Sequence, residues 1–112
     1  MATLRVEIPE NSQNILGTTT INAPLEKVFD AYVNKDLFPK WFSGGFKMKV
    51  HSFEAKSGGH WHISNFADDG TEYEFVASFH EIAKNERVIW TFEYLGLPER
   101  GHVALEKMTF HR

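Results

Sequence analysis

Apolar residues recur along this chain at two different periods, and the change of period divides it. Leu4, Val6 and Ile8 alternate with polar neighbours, as in a short strand, until the turn formers from Pro9 to Asn14 break the pattern. Ile15 to Ile21 is rich in β-branched Thr and Ile and predicts a second strand, ended by Asn22 and Ala23 before Pro24. Pro24 suits the first position of a helix, where its missing N–H is not needed. Glu26 falls in the first turn, where a negative charge complements the helix dipole. Leu25, Val28, Phe29, Tyr32 and Val33 follow at the spacing of one apolar stripe, on a helix of about three turns. Lys35 to Trp41 predicts a shorter helix or turn interrupted by Pro39, which carries Trp41 and Phe42 into the interior before Ser43, Gly44 and Gly45 release the chain.

From Phe46 onward the alternation is that of strands. Phe46, Met48 and Val50 alternate with Lys47, Lys49 and His51, and Ser57, Gly58 and Gly59 turn the chain into a strand from His60 to Phe66. At the next turn, Asp68 to Gly70, two registers compete. A two-residue loop at Asp69 and Gly70 puts Trp61 opposite Ser78 and Ile63 opposite Val76, which splits the aromatics between faces. A three-residue loop with Gly70 left-handed in a bulge puts Trp61 opposite Ala77 and Ile63 opposite Phe75. The second is preferred, because it gathers Trp61, Ile63, Tyr73, Phe75 and Phe79 on one face and a one-residue slip would turn that set outward. A turn from Lys84 to Arg87 then pairs Phe79 with Phe92 and Ala77 with Tyr94, keeping Val88, Trp90, Phe92 and Tyr94 on the same face. After Gly96 to Gly101 a last strand runs from His102 to the end of the sequence.

At 112 residues and 42% apolar content, the chain is expected to form one domain around one core. Its ten Phe, three Trp and three Tyr are bulky enough to line a cavity as readily as to fill a core. The lack of cysteine excludes a disulfide framework, a thiolate nucleophile and a Cys-ligated zinc or iron–sulfur site. No basic-apolar-small leader and no apolar run near the ~20 residues of a membrane span is present, so a cytoplasmic protein without a membrane span is expected. A net charge of -3 with both signs interspersed leaves no electrostatic footprint for nucleic acid.

Several short motifs stand in a telling order: Ile21 to Pro24 with Val28 to Ala31, then Trp41 and Phe42, Gly58 and Gly59, Asp69 and Gly70, Phe79 to Ile82, Glu86 to Trp90 with Thr91, and Gly96 to Pro98. The set resembles the family of the activator of Hsp90 ATPase homologue 1, within the START-like, or SRPBCC, superfamily. The likeness covers roughly residues 14 to 112 and leaves residues 1–13 as a variable N-terminal segment of a single START-like domain. It implies an α+β, helix-grip fold: two short N-terminal helices and an antiparallel sheet curved around a long C-terminal helix, with a deep hydrophobic cavity between. Two departures stand out. The family usually shows a glycine just before the aromatic-x-Glu-Ile segment, where Ala77 and Ser78 stand here. The closing strand and the long C-terminal helix are missing, a helix that needs about 15–20 residues at ~1.5 Å each. On this reading the chain is truncated relative to its family. Its concave aromatic face is then expected to need cover, from a second copy in a homodimer, from a domain swap, or from its own Leu4, Val6 and Ile8.

Motifs for chemistry are sparse. His60 and His62 share a strand face at a chelating spacing, but a transition-metal site needs a third ligand and a supporting shell. Both are expected to face solvent opposite Trp61 and Ile63, and neither a metal nor another cofactor is expected. His51, His80, His102 and His111 show no ligand spacing. Asp68, Asp69, Glu72 and Glu74 fall in a turn and its flanking strand, where carboxylates face water, and parity puts Glu81 and Glu93 on the outer face. No Gly-x-Ser-x-Gly elbow, phosphate-cradling loop or His-Glu-x-x-His occurs, so no catalytic residue is assigned. What remains is the aromatic set Trp41, Phe42, Phe46, Trp61, Phe75, Phe79, Trp90, Phe92 and Tyr94, expected to line an apolar ligand cavity, the alternative being that they are packed core. The expected function is non-enzymatic binding of a hydrophobic small molecule or lipid-like ligand, which a tryptophan in place of Ala77 should abolish. The alternatives are modulation of an Hsp90-type chaperone ATPase, as the family name suggests, and a cyclase- or hydrolase-like enzyme of the same superfamily.

Overall fold

Two antiparallel sheets and two short helices make up the computed structural model, which describes residues 4–112. The first three residues of the expected variable segment lie outside the described residues. Strand β1 (Leu4–Glu7) pairs with β2 (Leu16–Thr19) in a hairpin of its own, Leu4 opposite Thr19 and Glu7 opposite Leu16. Leu4, Val6 and Ile8 stay more than half exposed, at 66%, 53% and 73%. They do not cover the aromatic face as expected, because β1 pairs only with β2, in a sheet separate from the main one.

Helix α1 (Leu25–Val33) starts one residue later than expected, with Pro24 at the N-cap in an extended conformation. Its apolar stripe delivers Phe29 to the core and leaves Tyr32 half-buried. Asn34 ends α1 and starts the next turn: its N–H donates to Asp30 O at 2.8 Å, and its Oδ1 accepts from the N–H groups of Asp36 and Leu37 at 2.8 and 3.2 Å. Helix α2 (Phe38–Phe42) follows, and Pro39 lies in its first turn, so proline opens this helix where it was expected to interrupt one. The residue that α2 drives into the interior is Phe38, fully buried, with Phe42 one turn on beside it. Trp41, expected inside, is 42% exposed at the edge of this cluster, its ring 5.5 Å from that of Phe38.

The main sheet is a meander of β3 (Lys47–Phe53), β4 (His60–Phe66), β5 (Glu72–Ala83), β6 (Arg87–Tyr94) and β7 (Ala104–Thr109), each strand beside its sequence neighbour. The β4–β5 turn has the preferred register: Trp61 faces Ala77, Ile63 faces Phe75, and Gly70 is left-handed at φ 88°. The β5–β6 pairing differs from expectation by two residues, with Phe79 opposite Trp90 and Phe75 opposite Tyr94. Two causes add. Asn85 adopts φ 61° within a three-residue loop closed by Ala83 and Arg87, and a bulge between Phe79 and Glu81 leaves His80 unpaired. A shift of two preserves side-chain parity, so the same residues face the core.

Phe29, Phe38, Trp61, Ile63, Ala77, Phe79, Val88 and Trp90 form that core, all at 5% exposure or less. Phe29 of α1 and Phe38 of α2 supply part of this core from within the chain, while Ile21, Trp41, Phe46 and Leu105 stay 42% or more exposed. Among the described residues no helix is long and apolar enough to cross a membrane.

Candidate functional site

The aromatic rings do converge. Phe38 lies at the middle, with ring centroids 5.2 Å from Trp61, 5.3 Å from Phe53 and 4.6 Å from Phe42. Trp61 meets Trp90 at 5.5 Å, and Phe79 meets Trp90 at 5.9 Å. Phe75, Phe92 and Tyr94 extend the layer along β5 and β6, with Phe75 5.4 Å from Phe92 and 5.3 Å from Tyr94. Phe46 stands apart, 46% exposed and stacked on Tyr73 at 5.9 Å. Trp61, Phe79 and Trp90 are thus packed against other rings inside the core. Ala77 is buried at 4% exposure beside them, so a tryptophan there would overpack the core before it filled any cavity.

Open space lies beside α1, along the same apolar stripe that carries Phe29. A hollow of about 380 Å³ is lined by Ile21, Ala23, Lys27, Val28, Ala31, Tyr32 and Trp41. It adjoins a wider one of about 880 Å³ between β2, α1 and the strand-and-tail segment from Lys107 to Arg112, with Ile21, Ala23, Val28 and Tyr32 common to both. Of the nine aromatics picked from the sequence, Trp41 lines this space, and its indole N–H donates to Ala31 O at 2.8 Å. That carbonyl belongs to the last turn of α1, where no helical N–H is left to bond it, so the tryptophan doubles as a cap. Tyr32 tilts against Trp41 at 4.9 Å and is braced by Phe110 at 5.3 Å, while Phe110 also meets Phe29 at 5.5 Å.

Two polar groups mark the wall behind Tyr32. Burial pushes the Tyr32 phenol above its ordinary pKa, and the nearby Glu106 carboxylate adds to the effect. Glu106 accepts a hydrogen bond from Trp90 Nε1 at 2.6 Å, so this exposed acid satisfies a buried indole. Trp61 Nε1 and Asn65 Oδ1, also buried, have no hydrogen-bond partner among the described residues. Tyr32, Val28 and Ile21 were not legible as site residues, because helix and strand periodicity reads them as core positions.

The outer face of the sheet carries more structure than parity alone implies. Glu93 faces outward yet is only 8% exposed, because the loop after β6 folds over it. Arg100 donates to it from Nε at 2.9 Å and from Nη2 at 3.2 Å, and Gly101 N–H donates at 3.0 Å. The Arg100 hydrogen bonds, then the Gly101 N–H, hold the Glu93 carboxyl down to about 2, against 4.5. A carboxyl with a depressed folded-state pKa stabilises the fold fully above its unfolded value and loses that stabilisation as pH falls through the folded one. Thermal melts should therefore show stability declining from pH 4.5 towards 2, and Glu93→Gln should flatten that limb. An unchanged acid limb in Glu93→Gln would mean that the pair is not coupled to folding. His60 and His62 do not act together: His60 Nε2 bonds Ser52 Oγ at 2.9 Å, while His62 Nε2 bonds Glu74 Oε2.

Comparison with known proteins agrees with this architecture. No curated relative matches the chain. Among solved structures, protein CV1439 of Chromobacterium violaceum superposes with a TM-score of 0.69 at 22% identity, over 97% of this chain and 66% of that one. The Mll3558 protein of Rhizobium loti gives 0.69 at 17% identity, over 97% and 70%. A protein of Rhizobium leguminosarum gives 0.63 at 19%, over 100% and 66%. The chain thus spans about two thirds of the length of these neighbours, and at such identities they establish the fold, an α+β helix-grip of the START-like kind. The sequence profile described as Activator of Hsp90 ATPase homolog 1-like protein matches residues 22–112, which take in both helices and all five strands of the main sheet, and to that family the chain belongs.

Proposed function

We propose that the chain binds a hydrophobic small molecule or lipid-like ligand, without transforming it, in the joined hollows against α1. The observation that carries this reading is the 380 Å³ hollow walled by Ile21, Val28, Ala31, Tyr32 and Trp41. Its volume falls within the range of about 300–1,000 Å³ typical of ligand sites, and its walls are apolar and aromatic with a few polar groups at the margin. Tyr32 and Lys27 supply those groups, one able to donate to a ligand oxygen and the other to meet a carboxylate. The site differs from the one expected on the concave sheet face, where the rings pack against each other.

Titration with a fatty acid or an environment-sensitive apolar dye tests the reading. Ligand uptake should alter the fluorescence of half-exposed Trp41. Val28→Trp, whose new ring would occupy the shared wall of the two hollows, should lower affinity at least about tenfold, equivalent to 1.4 kcal/mol. Because Val28 is only partly buried beside open space, the variant should keep its fold. Uptake unaffected by Val28→Trp would place binding elsewhere. Family membership favours a second reading, modulation of an Hsp90-type chaperone ATPase. A stimulation assay with purified chaperone, run beside native mass spectrometry for a retained ligand, separates the two.

A further inference from the structure

We propose that the outer face of the main sheet carries a site for a divalent transition-metal ion of the zinc type, formed by His51, His62 and Glu74. These residues come from three adjacent strands, β3, β4 and β5, and one donor atom from each lies within 4.8 Å of the others. The site is on the opposite side of the sheet from the core, since His62 stands between buried Trp61 and Ile63 on β4.

A bulge makes the arrangement possible. Val50 pairs with Ile63 and Ser52 with His62, so His51 has no partner across the ladder and an extra residue is accommodated there. Val50 and Phe53 both remain with the core while His51 joins the outer face, and the rings of His51 and His62 stand 4.3 Å apart. Bulges re-aim side chains in this way, and strands hold ligands more rigidly than loops do.

The hydrogen bonds around His51 define its usable nitrogen. Ser64, fully buried, donates its hydroxyl proton to Glu72 Oε2 at 2.6 Å. Its oxygen is then free to accept from His51 Nε2 at 2.8 Å. That order puts the proton on Nε2 and leaves Nδ1 with the lone pair a metal needs. A carboxylate that orients an imidazole through a hydroxyl is the kind of support that metal-bound histidines use. His62 Nε2 and Glu74 Oε2 are in direct hydrogen-bond contact, so the two share a proton that a cation would displace.

The donor set selects the ion. Two imidazoles and one carboxylate suit zinc and its neighbours in the first transition row, whereas magnesium and calcium prefer all-oxygen shells. Around a four-coordinate zinc, ligand atoms at about 2.1 Å from the ion stand roughly 3.4 Å apart, which requires only side-chain adjustment from the spread seen here. Three protein ligands leave a fourth position open to water or a small anion. The Glu72 carboxylate behind Ser64 adds a further negative charge beside the ion.

Isothermal titration of the whole chain with zinc chloride, and visible spectra with cobalt chloride, test the proposal. We expect one ion per chain and cobalt bands of four-coordinate intensity. His51→Gln, Glu74→Gln and His62→Gln should each weaken binding at least about tenfold, and Ser64→Ala about tenfold through the lost support. His60→Gln and His80→Gln, on the same sheet outside the cluster, should bind as the parent does. His51 is exposed, so its variant keeps the fold, and a zinc-induced rise in thermal midpoint for the parent that His51→Gln lacks gives a second readout. No saturable one-to-one binding of either metal to the parent chain would overturn the site, as would binding that survives in His51→Gln and disappears in His60→Gln.

Discussion

Phe38→Ala is expected to destabilise the chain by about 3–5 kcal/mol, the cost typical of emptying a buried phenylalanine site. Phe38 has no exposed surface, and its ring meets those of Trp41, Phe42, Phe53, Trp61 and Trp90 at centroid distances of 4.6 to 6.0 Å. It is the plug that α2 sets into the curved sheet. The cavity left by alanine cannot collapse easily, because Trp61 and Trp90 are themselves held by neighbouring rings and, for Trp90, by Glu106. A domain of this size has a total stability of only about 5–15 kcal/mol, so much of it would be lost. Urea unfolding measures the effect as a lower midpoint with an unchanged slope. Phe38→Leu, which retains most of the volume, should cost under about 1.5 kcal/mol. If alanine at this position costs less than about 1 kcal/mol, α2 does not close the sheet and the core must be held some other way.

A comparable loss is expected at a residue whose importance is easy to miss. Gly59 is buried at the β3–β4 turn, and a Cβ there would lie 2.2 Å from Glu54 O and 3.0 Å from Lys56 O. Both are main-chain atoms, so relief requires the turn itself to move. That turn is fastened to β5 by two backbone hydrogen bonds, Phe79 N–H to Gly59 O at 2.9 Å and Gly58 N–H to Phe79 O at 2.8 Å. Gly59→Ala should therefore cost about 3 kcal/mol, the upper end for overpacking. Gly58 has a different requirement: φ is 85° and nothing stands within 4 Å of a Cβ, so alanine there should cost about 1–2 kcal/mol of backbone strain. Asparagine, which tolerates the left-handed region, should recover part of that loss at Gly58 and none at Gly59. Equal behaviour of the two asparagine variants in thermal melts would show that crowding at Gly59 is not the operative constraint.

Both residues show how far reading the chain reaches. The doublet Gly58 and Gly59 marks a turn, but the two glycines serve unlike purposes, one conformational and one steric, and only the position of Glu54 and Lys56 distinguishes them. Phe38 drew no notice beside Trp41 and Phe42, although Phe38 and Phe42 stand four residues apart, the spacing that shares a helix face. The Asp68 to Gly70 turn was legible because a wrong register would have exposed five large apolar residues at once. The β5–β6 register was not, since a shift of two leaves every residue on its proper face and patterning cannot penalise it.

The candidate hollow was illegible for a related reason. Ile21, Val28 and Tyr32 sit at core-type positions of their own strand and helix, and whether such positions are packed or left open depends on what lies across from them. The cluster on the outer face needed three strands in register and a bulge at His51 to bring residues 11 and 12 positions apart into contact.

Alternation, helical spacing and turn chemistry were enough to specify the order of elements and the inward facing of Trp61, Phe79 and Trp90, though not the exposure of Trp41 and Phe46, because each depends on residues near one another in the chain. Which ring fills the cup, where space is left beside α1, and which histidine meets Glu74 were settled by contacts between distant segments. Those contacts depend on volumes and strand offsets that local preference leaves undetermined.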